Sequence, residues 1–119
     1  MQTTAATSRP LVHFAPATNW MNDPNGLIFH DGLYHLYFQH NPESADWGNM
    51  SWGHATSEDL LTWREHDVAL RFDENEEVFS GSIVFDAPNS SGLGTADAPP
   101  LVALYTSNTS RGQSQALAF

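Results

Sequence analysis

The sequence predicts an all-β fold, and three observations support this. Runs of β-branched, aromatic and aliphatic residues alternate with clusters of Gly, Pro, Asn, Asp and Ser, which are the usual turn residues. A group of four such runs is followed by a second group that repeats the pattern. No segment resembles an α-helix of ordinary length. Four antiparallel strands within about 45 residues match the size of one β-propeller blade.

The first two runs predict a β-hairpin. Residues 27–30 and 33–40 are joined by Asp31-Gly32, which is a strong hairpin signal between two β-rich segments. Under the two-residue period of a strand, large rings fall on both faces of the second run. We therefore expect both faces to be at least partly covered. The two faces are Tyr34, Leu36 and Phe38, and His35, Tyr37 and Gln39.

Two further strands complete the first group. Residues 41–50 predict a loop, and residues 51–57 predict a third strand. A Ser followed by two acids indicates one helical turn over residues 57–61, because Ser caps helices and acids favour the first turn. Residues 63–70 predict a fourth strand, and residues 71–77 predict an acidic loop.

The pattern then restarts with a second group of strands. Residues 78–86 predict a strand, and residues 87–100, rich in Pro, Gly, Ser and Ala, predict a surface loop. Residues 101–106 predict another strand, and residues 113–119 begin a third. The second group thus lacks a fourth strand.

The domain organisation follows from these two groups. We expect residues 1–10 to be a flexible lead-in and residues 11–119 to form an incomplete β-propeller domain. The first blade would span about residues 27–70, and a partial second blade about residues 78–119. Because blades are stabilised mainly by their neighbours, the chain is expected to be the N-terminal portion of a larger propeller.

Composition and charge limit the class of ligand. The 119 residues include 40% hydrophobic residues, which is enough for a packed core. The net charge is −10, with 14 Asp and Glu against 4 Lys and Arg, which argues against nucleic acid or an anionic membrane as a partner. A neutral or cationic ligand fits better. The charge does not indicate an oligomeric state.

The sequence leaves localisation open. It has no cysteine, so the redox compartment is not indicated. It has neither an apolar stretch of membrane-spanning length nor the apolar core of a secretory signal. The protein is therefore expected to be cytoplasmic, or secreted with its leader absent from this chain.

One motif concentrates chemistry-bearing residues, at residues 19–26 (Asn-Trp-Met-Asn-Asp-Pro-Asn-Gly). Pro24 restricts Asp23 toward an extended conformation, and Asn25-Gly26 tolerates positive φ. A carboxylate held on a rigid turn beside an indole and several amides suits a sugar pocket. An Asx-turn leading into a strand explains the same residues, so both interpretations stay open at this point.

Asp23 is the candidate nucleophile, because a carboxylate can attack an anomeric carbon and form a covalent glycosyl intermediate. That chemistry requires a second carboxyl group as general acid. Asp31, Glu43 and Asp46 are near in sequence, but they lie in a turn and a polar loop and are better explained as solvated acids.

The tryptophans and histidines narrow the kind of site. Trp20 and Trp47 lie in predicted loops beside polar residues, where an indole can stack on a sugar ring, whereas Trp52 and Trp63 lie at strand positions that favour core packing. The histidines have neither the spacing nor the thiolate partners of a metal centre. No metal and no cofactor are expected.

The motifs together resemble glycoside hydrolase family 32, the invertases, inulinases and levanases. The matching segments occur in the family's order and cover the chain from about His13 to its last residue. They are residues 20–26, 37–42 (Tyr-Phe-Gln-His-Asn-Pro), 47–54 (Trp-Gly-Asn-Met-Ser-Trp-Gly-His), 57–63 and 79–82 (Phe-Ser-Gly-Ser).

The resemblance implies a five-bladed β-propeller with its active site in an axial funnel. It implies a retaining enzyme that releases terminal β-fructofuranosyl units from sucrose or a fructan, with Asp23 as nucleophile. Six further residues are expected to line the fructosyl pocket. They are Trp20, Asn22, Gln39, Trp47, Phe79 and Ser80.

The chain also departs from the family pattern. The transition-state stabiliser of the family is the Asp of an Arg-Asp-Pro motif, and its acid/base is a Glu before a Cys or similar residue; neither motif is present. The chain alone is therefore expected to be inactive. Two alternatives remain: a non-catalytic fructan-binding or interaction fragment, and a fructosyltransferase that passes the fructosyl unit to a sugar.

Overall fold

The structure is a computed structural model that describes residues 9–119, so residues 1–8 of the expected lead-in lie outside the described residues. Seven β-strands form two antiparallel sheets, in the orders β1-β2-β3-β4 and β5-β6-β7. The described residues include no helix, which confirms the predicted all-β class. The strands are β1 Trp20–His30, β2 Leu33–Asn41, β3 Ser51–Ser57, β4 Arg64–Leu70, β5 Glu76–Phe85, β6 Leu101–Thr109 and β7 Gly112–Ala118. None of residues 9–119 belongs to a helix with the length and apolarity that a bilayer span requires.

Strand β1 begins seven residues earlier than predicted, at Trp20 rather than Leu27. Residues 20–26 of the motif are therefore part of the strand rather than a turn before it, although Gly26 does have a positive φ, of 55°. β1 accommodates Pro24 because it is an edge strand, where a missing N–H removes no bond of the sheet interior. Two register shifts interrupt its pairing with β2, one between Met21 and Pro24 and one between Asn25 and Ile28.

The predicted hairpin is confirmed. β1 and β2 are joined at the His30–Leu33 pair, and the two turn residues Asp31 and Gly32 have φ angles of 49° and 79°. Two successive positive φ angles match the right-handed twist of the flanking strands, which is why Asp-Gly is favoured at this position.

The predicted helical turn after β3 is wrong. Residues 58–62 form bends, although the Ser57 hydroxyl does accept the N–H of Leu60 at 2.8 Å, as a capping residue would. Leu60 has a φ of 64°, which a right-handed helix does not allow. Asp59 Oδ1 instead accepts the N–H groups of Leu61 and Thr62, so the carboxylate closes a loop.

Both faces of β2 are covered, as predicted, and each contributes to a different cluster. On one face Leu36 and Phe38 pack with Ala55. On the other face Tyr37 joins Trp52 in a cluster that also contains Val78, Ala103 and Tyr105 from the second sheet. Trp52 and Phe38 are fully buried. The apolar contact between the sheets therefore centres on the Trp52 side of β2 and β3.

Candidate functional site

A cavity of about 290 Å³ lies where the two sheets meet. Six of the seven residues that the sequence singles out line this one cavity, although they are spread over almost sixty residues of chain. The lining residues are Asn22, Asp23, Gln39, Trp47, Phe79, Ser80, Thr106 and Gln113.

A β-bulge in the first sheet brings three of these residues together. Met21 pairs with His40 and Pro24 pairs with Phe38, so Asn22 and Asp23 face the single residue Gln39. Neighbouring residues of a regular strand point to opposite faces, whereas a bulge re-aims them. The bulge therefore allows Asn22 and Asp23 to line the same cavity.

The second sheet contains an equivalent bulge. Its register shifts between the Val78–Ser107 and Gly81–Tyr105 pairs, so Phe79 and Ser80 face Thr106 alone. All three residues line the cavity. Each sheet thus supplies two consecutive residues of its first strand and one residue of its second strand.

Asp23 is exposed to solvent and is held from the opposite sheet. The Ser80 hydroxyl donates to Asp23 Oδ2 at 3.2 Å, across 57 residues of sequence. This bond orients the carboxylate through Oδ2, and no protein donor contacts Oδ1 among the described residues. Among the described residues, Asp23 is the only carboxylate that lines the cavity.

Two rings form the apolar wall. Trp47 is 58% exposed, and its ring meets that of Phe79 edge-on, with centroids 6.3 Å apart. A large exposed ring beside a carboxylate and amides provides a stacking surface together with directional polar groups, which is the combination that a sugar requires.

Trp20 is the one candidate that does not line the cavity. Its indole Nε1 donates to Asn22 Oδ1 at 2.7 Å. Trp20 therefore lies outside the cavity lining and orients the amide of Asn22, which does line the cavity. With the amide oriented in this way, the Asn22 NH₂ group keeps both of its donors for a ligand, and its oxygen keeps one lone pair.

Gln39 is almost completely buried, and its Nε2 donates to the carbonyl of Val78 at 2.9 Å. Trp52 Nε1 donates to the carbonyl of Phe79 at 2.9 Å. These two side chains of the first sheet therefore fix the backbone of β5 where it enters its bulge. The hydrogen bond of the fully buried Trp52 agrees with its predicted role in core packing. Trp63 also packs within the protein, with its ring against that of Phe14.

Sequence reasoning missed Thr106 and Gln113. Thr106 lies opposite the β5 bulge, as Gln39 lies opposite the β1 bulge, and Gln113 lies in β7. A Thr within a strand carries no signal of its own. The only available signal was the equivalence of the two strand groups, which places Thr106 in the position of Gln39.

The acids considered as partners of Asp23 all lie outside the cavity. Glu43 forms an exposed ion pair with Arg71 at 2.7 Å. Asp31 is exposed beside His30, and Asp46 forms contacts within its own loop. The interpretation of these residues as solvated acids agrees with their positions.

Four histidines form a row across the first sheet. His35 Nδ1 and His54 Nε2 are 3.0 Å apart, and the His54 ring also stacks on that of His66. Burial is the main reason that the pKa of His54 is lowered to about 4, with His66 and His35 adding to the effect. The fourth member is His30, next to His35. Within residues 9–119, no three His, Cys, Asp or Glu side chains are arranged to hold a metal ion.

A larger cleft of about 540 Å³ lies at the outer edge of the first sheet. Some of its polar groups are already hydrogen-bonded: Asp59 Oδ1 accepts two backbone N–H groups, and Thr56 Oγ1 lies 2.7 Å from His66 Nε2. The smaller cavity is the better candidate site, because both sheets contribute to it and it combines an exposed carboxylate, side-chain amides and an exposed ring.

Comparison with known proteins agrees with this geometry. The model of the glycosyl hydrolases family 32 N-terminal domain matches residues 13–119. The extracellular exo-inulinase of Aspergillus niger is 58% identical over 100 residues, which cover 80% of this chain and 19% of that protein. The levanase of Bacillus subtilis is 50% identical over 111 residues, which cover 93% of this chain and 16% of that protein.

Solved structures show the same fold. The fructofuranosidase of Schwanniomyces occidentalis in complex with fructose superposes with a TM-score of 0.90 at 47% identity, over 98% of this chain and 25% of that one. The chain thus spans about a fifth of the length of the curated relatives it matches. Its two sheets have the fold of part of the β-propeller domain of these enzymes, and the chain belongs to glycoside hydrolase family 32.

Proposed function

We propose that this chain carries the nucleophile and the fructosyl-binding wall of a retaining β-fructosidase that acts on sucrose or a fructan. The observation that carries the proposal is the position of Asp23 in a bulge, with Ser80 holding one of its oxygens from the other sheet. The family membership and the names of the relatives, inulinase, levanase and invertase, support the substrate class.

In the first step, Asp23 Oδ1 attacks C2 of the fructosyl unit. The bond from C2 to the leaving oxygen breaks, and that oxygen takes a proton from a carboxylic acid on the opposite side of the sugar. The product is a fructosyl ester of Asp23. The Ser80 hydroxyl keeps the carboxylate oriented by its bond to Oδ2.

In the second step, a water molecule attacks C2 and gives its proton to the carboxylate that acted as acid. The ester bond breaks, and Asp23 returns to its ionised form. Since no second carboxylate lines the cavity among the described residues, we propose that the acid comes from a segment outside this chain. The 119 residues alone would then bind a fructoside without hydrolysing it.

A second candidate function is fructan binding without catalysis. The same absence of a second carboxylate from the described part of the cavity favours it, because the ring wall and the amides are sufficient for recognition. A fructosyltransferase would use the same first step with a sugar as acceptor, and oligosaccharide products at high sucrose would identify it.

The test is Asp23→Asn in a full-length enzyme that contains this chain, with Asp31→Asn, an exposed turn carboxylate, as the matched control. We expect Asp23→Asn to lower fructose release from sucrose and levan by at least about 10⁴-fold while the circular dichroism spectrum is unchanged. Asp31→Asn should retain normal activity. Near-normal fructose release by Asp23→Asn contradicts the assignment, and binding without turnover in the parent enzyme favours the non-catalytic alternative.

A further inference from the structure

The carboxylate of Glu77 lies between the two sheets, behind the wall of the cavity. Its Oε1 accepts the backbone N–H of Met50 at 3.2 Å, and its Oε2 accepts the side-chain N–H of Asn108 at 3.0 Å. Glu77 is partly buried and is not part of the cavity lining. Both of its partners are N–H donors, which an ionised carboxylate can satisfy at the same time.

Each of these hydrogen bonds connects Glu77 to a segment that carries a different part of the cavity wall. Met50 ends the loop that carries Trp47, and its carbonyl accepts the N–H of Val78 at 2.8 Å. Asn108 lies two residues after Thr106 in β6, so the two side chains are on the same face of the strand. Within β5, Glu77 likewise stands two residues before Phe79.

We propose that Glu77 is a positioning residue for the fructosyl site. Its carboxylate fixes the positions of the Trp47 loop, the β5 bulge and the strand that carries Thr106 relative to one another. It thereby sets the distance between the rings of Trp47 and Phe79. It also determines how Ser80 meets Asp23. This inference rests on the proposed function for the identity of the ligand, but not for the geometry that Glu77 maintains.

The experiment compares Glu77→Met with Glu77→Gln in the 119-residue chain. Met has similar length but offers no acceptor to either N–H group. Gln keeps one oxygen for the Met50 N–H, and the Asn108 amide can turn its own oxygen toward the new NH₂ group, so Glu77→Gln should rescue part of the effect. Glu74→Met, at an exposed loop position, is the control for lost charge. Val102→Ala, a buried site outside the cavity lining, is the control for lost stability.

We expect Glu77→Met to weaken fructose binding about tenfold, with Glu77→Gln in between and both controls at the parent affinity. In two-dimensional NMR, Glu77→Met should also speed hydrogen exchange of the Met50 and Val78 amides and shift the Trp47 indole signal. A purely structural role predicts that Val102→Ala and Glu77→Met behave alike in all these measurements.

Two results overturn the inference. One is an unchanged Trp47 indole signal with unchanged Met50 and Val78 exchange in Glu77→Met, and the other is equal loss of affinity in Glu77→Met and Val102→Ala. If the parent chain binds no fructose, the proposed function fails for this chain. The NMR readouts then decide separately whether Glu77 holds the wall.

Discussion

At the scale of single residues, the candidate site depends on residues that a regular strand would keep apart. Asn22 with Asp23, and Phe79 with Ser80, are sequence neighbours that line one cavity because each pair lies in a bulge. The glycine that follows the second bulge has a steric role in this arrangement. A Cβ at Gly81 would lie 2.0 Å from the carbonyl oxygen of Leu104 in β6.

We predict that Gly81→Ala is strongly destabilising. Because the atom in the way belongs to backbone, the new methyl group can be accommodated only by moving β5 away from β6, at a cost of about 3 kcal/mol. Gly32→Ala is the control, since Gly32 has a positive φ of 79° but nothing within 4 Å of the added Cβ. It should cost only about 1 kcal/mol.

Urea denaturation of the two variants checks this prediction. The midpoint should fall much further for Gly81→Ala than for Gly32→Ala. Equal midpoints would mean that β5 and β6 do not approach as closely as the structure has them.

Single residues also show how much of the candidate site could be predicted from the sequence. Asp23, Gln39 and Phe79 were identified because they belong to motifs shared with a family, and their roles in chemistry stay predictions. Thr106 was missed because its position depends on which residue of β5 bulges, and that is a property of register between two strands. Trp20 was predicted to line the cavity because it belongs to the same motif as Asn22 and Asp23. In the structure, its indole N–H instead donates a hydrogen bond to Asn22.

At the scale of elements, strand existence was more predictable than strand ends. The Asp31-Gly32 turn has a strong local signal, and the hairpin is found as predicted. The start of β1 was misjudged because Asn, Asp, Pro and Gly have turn propensity. Pairing with β2 and the edge position overrode that propensity, as tertiary context does.

The histidine row gives the first sheet a dependence on pH. Since the folded pKa of His54 is about 4 and its ordinary value is 6.5, the folded state favours the neutral ring. The unfolded chain therefore binds more protons between these values, and stability falls as pH decreases from about 6.5 to about 4. Above pH 6.5 the ring is neutral in both states, and the stability that depends on the neutral ring is fully present. Burial, together with the charges of His30 and His66, lowers the pKa of His35 as well, and Asp31 opposes this only in part.

We predict that His54→Gln reduces the acid sensitivity of the chain. Unfolding midpoints in urea, measured from pH 4 to pH 7.5, should fall less steeply for this variant than for the parent. His13→Gln, at an exposed position before β1, is the matched control and should follow the parent curve. Parallel curves for all three proteins would contradict the assignment of the pH dependence to His54.

At the scale of the whole molecule, the two sheets act as one unit because the first sheet binds the backbone of β5. Gln39 and Trp52 donate to consecutive carbonyls, those of Val78 and Phe79, and the carbonyl of Met50 accepts the N–H of Val78. Trp52 also lies in the apolar cluster that both sheets share. A single sequence cannot indicate such bonds, because they depend on how two separately paired sheets approach each other.

We predict that Trp52→Phe and Trp47→Phe have opposite profiles. Trp52→Phe leaves the Phe79 carbonyl without its buried donor and removes ring volume from the core, which should cost about 2–4 kcal/mol. Trp47→Phe removes exposed surface and should change stability little while weakening fructose binding. Thermal unfolding by circular dichroism and fructose titration of both variants separate the two roles. Loss of stability in Trp47→Phe equal to that in Trp52→Phe would refute this division.

The bond between Ser80 and Asp23 also has a consequence for the order of events during synthesis. A ribosome completes β1 to β4 before Ser80 is made, so the newly made first sheet presents Asp23 without the hydroxyl that orients it. Asp23 therefore gains this hydrogen bond only after β5 has docked on the first sheet. The orientation of the candidate nucleophile thus depends on a strand that is made after the whole first sheet.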